Sequence, residues 1–152
     1  MQVAQGSLGR VFVLRLEDGD RLPDSLERFA ADNHVQAAFV ALLGGVASGS
    51  LVVGPKDSDA AAIVPVLRAV AGAHEAAAVG TLFPDATGAP RLHMHAALGR
   101  GDDAPTGCVR RGLDIWKIAE AVVIELLDTG MVRTVDPAFG FEVLTAAPQE
   151  PA

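Results

Sequence analysis

Arg91-Leu92-His93-Met94-His95-Ala96-Ala97-Leu98 is the stretch on which the reading of this chain turns. Apolar residues at 92, 94, 96 and 98 alternate with the remaining positions, the period of a β-strand with one buried face. His93 and His95 therefore leave the same face, with Cα atoms about 6.6 Å apart along the strand. Two imidazoles so placed can converge on one metal ion or one anionic ligand. The chain has only four histidines, so half of them fall within these three positions.

Outward from this strand, Gly99-Arg100-Gly101-Asp102-Asp103 reads as a hairpin loop. A short return strand is predicted over residues 106–110, bringing 107–109 opposite 95–97. Upstream, residues 76–83 read as a strand and Pro84-Asp85-Ala86-Thr87-Gly88 as a turn. Residues 61–68 suggest another strand, demoted by Pro65 to an edge or broken one. Residues 35–43 read as a buried strand stopped by Gly44-Gly45, residues 49–53 as a further strand, and residues 55–59 as a loop. Residues 10–16 form a first alternating strand, turned by Glu17-Asp18-Gly19-Asp20. Asp24-Ser25-Leu26-Glu27, following Pro23, carries an N-cap signature, and Leu26, Phe29 and Ala30 recur at helical spacing; a helix is predicted over 24–33. Residues 115–127 fit a helical face through Ile115, Ile118, Ala119, Val122, Val123, Leu126 and Leu127, while Val122-Val123-Ile124 favours a strand. One helix among eight or so strands predicts an α+β domain built on a mostly antiparallel sheet.

Cys108 falls on the expected return strand. Two imidazoles and a thiolate make a coherent set for Zn²⁺ or another late divalent metal, and three protein ligands leave a fourth position open. The plain alternative is that both histidines are satisfied packing residues and Cys108 a small buried hydrophobe. Two other uses of paired strand histidines fail on spacing. A cupin needs a glutamate three or four residues beyond the second histidine, where Gly99 and Arg100 stand, and a histidine-triad hydrolase needs a third alternating histidine where Ala97 stands. Glu120 lies in an apolar run, where an unpaired carboxylate is costly. It is expected to face solvent, a neighbouring subunit or the site, there as a base or a partner to a ligand. His34 is placed to cap the helix, and His74 reads as a loop residue before a strand. No serine has a Gly-x-Ser-x-Gly setting, and Gly44-Gly45 resembles no phosphate loop.

Composition narrows the classes further. The 152 residues are half apolar and carry a formal charge of −7, which fits one globular domain and opposes broad binding to nucleic acid or anionic membrane. Arg110-Arg111 is the nearest approach to a basic cluster and reads as a solvated pair. No apolar stretch approaches the roughly 20 residues that span a bilayer. Residues 1–6 hold no basic residue ahead of an apolar run, so no signal peptide is expected. One cysteine permits no internal disulfide, and a cytoplasmic location is the expectation.

The ordered pieces resemble the plant-and-prokaryote-conserved (PPC) domain family. The opening Gly9-Arg10-Val11-Phe12-Val13-Leu14-Arg15-Leu16-Glu17-Asp18-Gly19-Asp20 is similar, as are Ala41-Leu42-Leu43-Gly44-Gly45-Val46, Gly80-Thr81-Leu82, Leu92-His93-Met94-His95, Glu120-Ala121-Val122-Val123-Ile124, and the final Arg133, Asp136, Gly140, Phe141 and Leu144. The resemblance divides the chain into an N-terminal segment 1–8, a domain 9–145 and a flexible tail 146–152. It implies an antiparallel α+β fold, a homotrimer, and strand rather than helix over 115–127. The family's plant members carry this domain beside AT-hooks in nuclear proteins, which implies a DNA-associated or regulatory association module. This chain has no Arg-Gly-Arg-Pro hook. The family usually has Gly-Gly-His where this chain has Thr106-Gly107-Cys108; the exchange keeps a metal-ligating side chain. Zinc is the expected ion, and a metal-dependent hydrolase or lyase the expected class of any activity.

Overall fold

A computed structural model describes residues 1–60 and 63–147. Nine strands and one helix follow in the order β1 (Ser7–Glu17), β2 (Arg21–Leu22), α1 (Asp24–Asp32), β3 (Ala38–Pro55), β4 (Pro65–Pro84), β5 (Pro90–Gly99), β6 (Thr106–Cys108), β7 (Leu113–Leu127), β8 (Met131–Asp136) and β9 (Phe141–Ala146). Seven strands form one sheet in the order β1-β7-β3-β4-β5-β6, with β2 pairing to β7, and β8 and β9 form a separate two-stranded ribbon. All ladders between these strands are antiparallel. The fold is thus the α+β class with a mostly antiparallel sheet that the alternating segments predict.

The strands are longer than the local sequence suggests. Gly44-Gly45 does not stop a strand; β3 runs straight through it. Gly44 has a φ of +143°, and a Cβ there would strike the backbone of Ala119, while one on Gly45 would lie 2.5 Å from the Trp116 carbonyl oxygen. These glycines let β7 approach closely instead of turning the chain. The register slips at this point: Gly44 faces Ala119 but Val46 faces Ile115, so four steps on β7 oppose two on β3. Lys117, at a φ of 65°, takes up the surplus as a bulge. Ile115 and Ala119 face the core, and the three residues between them are all exposed. Residues 115–127 are strand, and the helical periodicity there arises because both faces carry apolar residues, Ile118 and Val122 outward and Ile115, Ala119 and Val123 in the core.

Residues 65–84 likewise form one strand where two were expected; of the expected strand over 61–68, residues 61 and 62 lie outside the described residues. Gly72 (φ +82°) sits where Val46 pairs with His74 and Ser48 with Ala71, a second bulge that bends β4 without breaking it. Residues 148–152 of the expected tail also lie outside the described residues.

The core lies between the inner sheet face and α1. Leu26 and Ala30 of the helix are buried with Leu16, Val40, Leu82, Met94, Leu98 and Val123 among others, and Phe29 meets Phe12 edge to face at 5.2 Å. The helix start departs from the expected capping: Pro23 occupies the N-cap and no side chain caps the helix. Ser25 instead donates to Asp20, and the Glu27 carboxylate accepts the Leu92 N–H at 2.9 Å, tying α1 to β5. Among the described residues no helix is long and apolar enough to cross a membrane.

Strand β6 is short, but it closes a circuit. Cys108 pairs with His95 of β5 and also with Val52 near the far end of β3. A Cβ on Gly107 would lie 2.5 Å from the Val52 carbonyl oxygen, so the missing side chain is what admits β6 between its neighbours. The strand ends at Cys108 and not at 110, and 106–108 rather than 107–109 oppose 95–97.

Candidate metal centre

Alternation along β5 buries Leu92, Met94, Ala96 and Leu98 and leaves His93 and His95 on the outer face. His93 lies beside Thr81 of β4, and His95 lies between Val79 of β4 and Cys108 of β6. Directly paired residues share a face, so this register brings the Cys108 thiol to the imidazoles. A shift of one residue would have sent it inward. The ligating atoms of His93, His95 and Cys108 all lie within 4.8 Å of one another. The two Nε2 atoms are 3.2 Å apart, close to the edge of about 3.3 Å between two nitrogens placed tetrahedrally around zinc at about 2.0–2.1 Å. The donor set and its spacing therefore fit a late divalent metal.

Electrostatics favours the ligating form of the imidazoles. His93 is pushed below the ordinary histidine value by burial first and then by the charges of Arg133 and Arg110. His95 is lowered by burial, by His93 and by Arg110. Each ring is held neutral, with a nitrogen lone pair available.

Two arginines complete the surroundings. Arg110 donates from Nε to Cys108 Sγ at 3.2 Å, and its guanidinium lies over the Phe141 ring at 6.0 Å. Arg133 of β8 is buried; its Nη2 donates to Thr81 Oγ1 at 3.0 Å and to the Thr81 carbonyl at 3.3 Å. Arg110 is thus no merely solvated residue. Its place was open to inference, since in an extended chain it returns two positions on to the face of Cys108. Arg133 comes from a separate ribbon, and nothing in the spacing of residues 91–108 announces it.

The other candidates stand apart from this cluster. Glu120 is exposed on β7 between Arg15 and Leu43, three strands across the sheet from the histidines. His74 lies within β4, where its Nδ1 contacts the Gly72 carbonyl at 2.7 Å. His34 follows α1 with a φ of 54° and its N–H on the Ala31 carbonyl.

Comparison with known proteins agrees with this architecture. The family model of the Plants and Prokaryotes Conserved (PCC) domain matches residues 3–127, ending before the β8–β9 ribbon. A curated relative, the bifunctional protein GlmU of Synechococcus sp. (strain JA-3-3Ab), is 31% identical over 96% of this chain. The chain spans only 23% of that protein's length. Among solved structures, the metal-containing protein AF0104 of Archaeoglobus fulgidus superposes with a TM-score of 0.82 at 23% identity, covering 95% of this chain and 99% of that one. The plant- and prokaryote-conserved protein of Pyrococcus horikoshii gives a TM-score of 0.82 at 18% identity, covering 98% and 100%. A protein of Ralstonia eutropha JMP134 described as a candidate DNA-binding protein gives 0.69 at 21%, covering 88% and 89%. At these identities the superpositions establish the fold.

Proposed function

This chain belongs to the Plants and Prokaryotes Conserved domain family, and on that premise we propose that each subunit binds one divalent transition metal, zinc foremost, through His93, His95 and Cys108. The observation that carries the reading is the 3.2 Å separation of two Nε2 atoms held neutral beside a thiol. A mere packing role would not need three ligand-type side chains to converge on one face. The metal-containing Archaeoglobus protein of the same fold supports it.

Three protein ligands suit a reactive site better than a closed structural one, which favours a metal-dependent hydrolase or lyase. A bound zinc would supply Lewis acidity and an activated water at neutral pH. This chain's own residues would hold it, with Arg110 steadying the sulfur and Arg133 fixing Thr81 behind His93. The protein acts as a homotrimer in the cytoplasm.

Elemental analysis of the purified protein tests the site. The wild type should carry close to one metal per subunit, His95→Ala should lose most of it while staying folded, and Cys108→His should keep it. A wild type that is metal-free and takes up no added zinc would reduce the histidines to packing residues.

The Ralstonia protein's description favours a second reading, a non-catalytic module associated with DNA. The charge of −7 and the absence of a hook weaken direct contact. A gel shift on mixed duplexes at low salt separates the two: salt-sensitive retardation by the purified protein would favour the DNA-associated module.

A further inference from the structure

A cleft of about 510 Å³ opens beside the cluster, with His93, Cys108, Arg91, Arg110 and Arg133 in its wall. We infer that this cleft binds a compact oxyanion, the carboxylate or phosphate group of a small molecule, between Arg110 and Arg133. As a statement about the ligand of the metal site, the inference rests on the metal reading above; the arginine cradle is built from this chain alone.

The three arginines are not equivalent. Arg91 is already claimed by Asp85 at 2.9 Å and Glu27 at 3.9 Å. Arg110 and Arg133 take part in no ion pair among the described residues. Arg133 is held rigidly: Nη2 is bound to Thr81, Nε lies 3.4 Å from the Arg91 carbonyl, and the guanidinium lies over Phe83 at 5.9 Å. Its Nη1 donates to no acceptor among the described residues, yet no buried side-chain nitrogen there lacks a partner. Nη1 therefore meets accessible space, and Arg133 is one of the residues that line the cleft. Arg110 uses only Nε internally, on Cys108, and both its Nη atoms remain for a ligand. Two guanidinium forks with free N–H groups match the planar oxygens of a carboxylate or the oxygens of a phosphate.

Charge counting gives the same direction. Asp24, Glu27 and Glu142 also line the cleft and balance its three arginines. A divalent ion on two neutral imidazoles and one thiolate adds a net positive charge at one end. An entering anion offsets it, and a cation would be repelled. The β8–β9 ribbon contributes Arg133, Phe141 and Glu142 to the wall, so the ligand class is set partly by an element outside the main sheet.

Calorimetric titration of inorganic phosphate and, separately, malonate into the protein tests the inference, with zinc content measured on the same samples. Zinc-loaded wild type should bind at least one of the two probes, the tighter one identifying the group. Arg110→Gln, at an exposed position that spares the fold, should weaken binding about tenfold or more when compared with wild type at matched zinc occupancy. Arg133→Gln should do the same, but the residue is buried, so Arg110→Gln is the deciding variant. Zinc-replete protein that takes up neither probe, or wild type and Arg110→Gln binding equally, would overturn the oxyanion site and leave the metal reading standing. Arg110-dependent binding by protein that takes up no zinc would support the cradle while removing the metal reading.

Discussion

The Glu125 carboxylate shows how single residues hold this sheet. Its side chain is 8% exposed, yet it accepts from Arg10 at Nη2 (2.7 Å), Nε (2.8 Å) and the backbone N–H (3.0 Å). Those hydrogen bonds, the Arg10 side chain foremost, hold its pKa down at about 2. Asp85 is likewise lowered to about 2, chiefly by Thr87 and then by the backbone N–H groups of Thr87 and Ala89 and by Arg91. Both carboxyls are more acidic folded than unfolded, so the stability they lend is complete at neutral pH. It is lost as pH falls from about 4 through about 2. Denaturant unfolding at pH 7 and pH 3 should show that decline, and Glu125→Gln should show a smaller one; an identical decline in the variant would remove Glu125 from the account. The metal cluster was more legible than this pair. His93 and His95 are two apart in an alternating run, and a hairpin loop nearby returns Cys108. Arg10 and Glu125 are 115 positions apart, and no local pattern joins them.

At the scale of elements, the existence of strands could be read from alternation, but their continuity could not. Glycine is ambiguous in sequence because it serves both turns and close approaches. Gly44, Gly45 and Gly72 turn out to mark bulges within two long strands, a distinction that depends on which backbone passes alongside. Apolar residues on both faces of β7, Ile118 and Val122 outward and Ala119 and Val123 inward, give it the look of a helix in sequence. The expected register of β6 was one residue off, and that one residue decides whether Cys108 faces the histidines. Gly107→Val probes this directly, since its side chain would press on the Val52 carbonyl. We expect a loss of about 1–3 kcal/mol in stability together with loss of bound zinc, measured on the folded fraction. A Gly107→Val protein with full zinc content would show that β6 does not position the thiol.

Across the whole molecule, the outer face of the sheet is unusually apolar. Val13, Val122, Ala41, Val79 and His95 form one row across five strands, and Val11, Ile124, Phe39, Thr81 and His93 form the next. Val13, Val11 and Val79 are 79%, 62% and 57% exposed, a patch of the kind that marks an interface. His93 and His95 stand at its rim, so the proposed assembly and the proposed site would share one surface. Sedimentation should give a trimer at micromolar concentration, and Val13→Lys should dissociate it; a stable wild-type monomer would contradict the proposed assembly. What the proposed trimer would display beside that face is the proposed ion. Zinc-edge X-ray absorption on the zinc-loaded protein reads its ligands directly. The account predicts one sulfur at about 2.3 Å with nitrogen and oxygen neighbours at about 2.0–2.1 Å, including imidazole scattering, and loss of the sulfur shell in Cys108→His. A zinc bound with no sulfur neighbour in the wild type would contradict it.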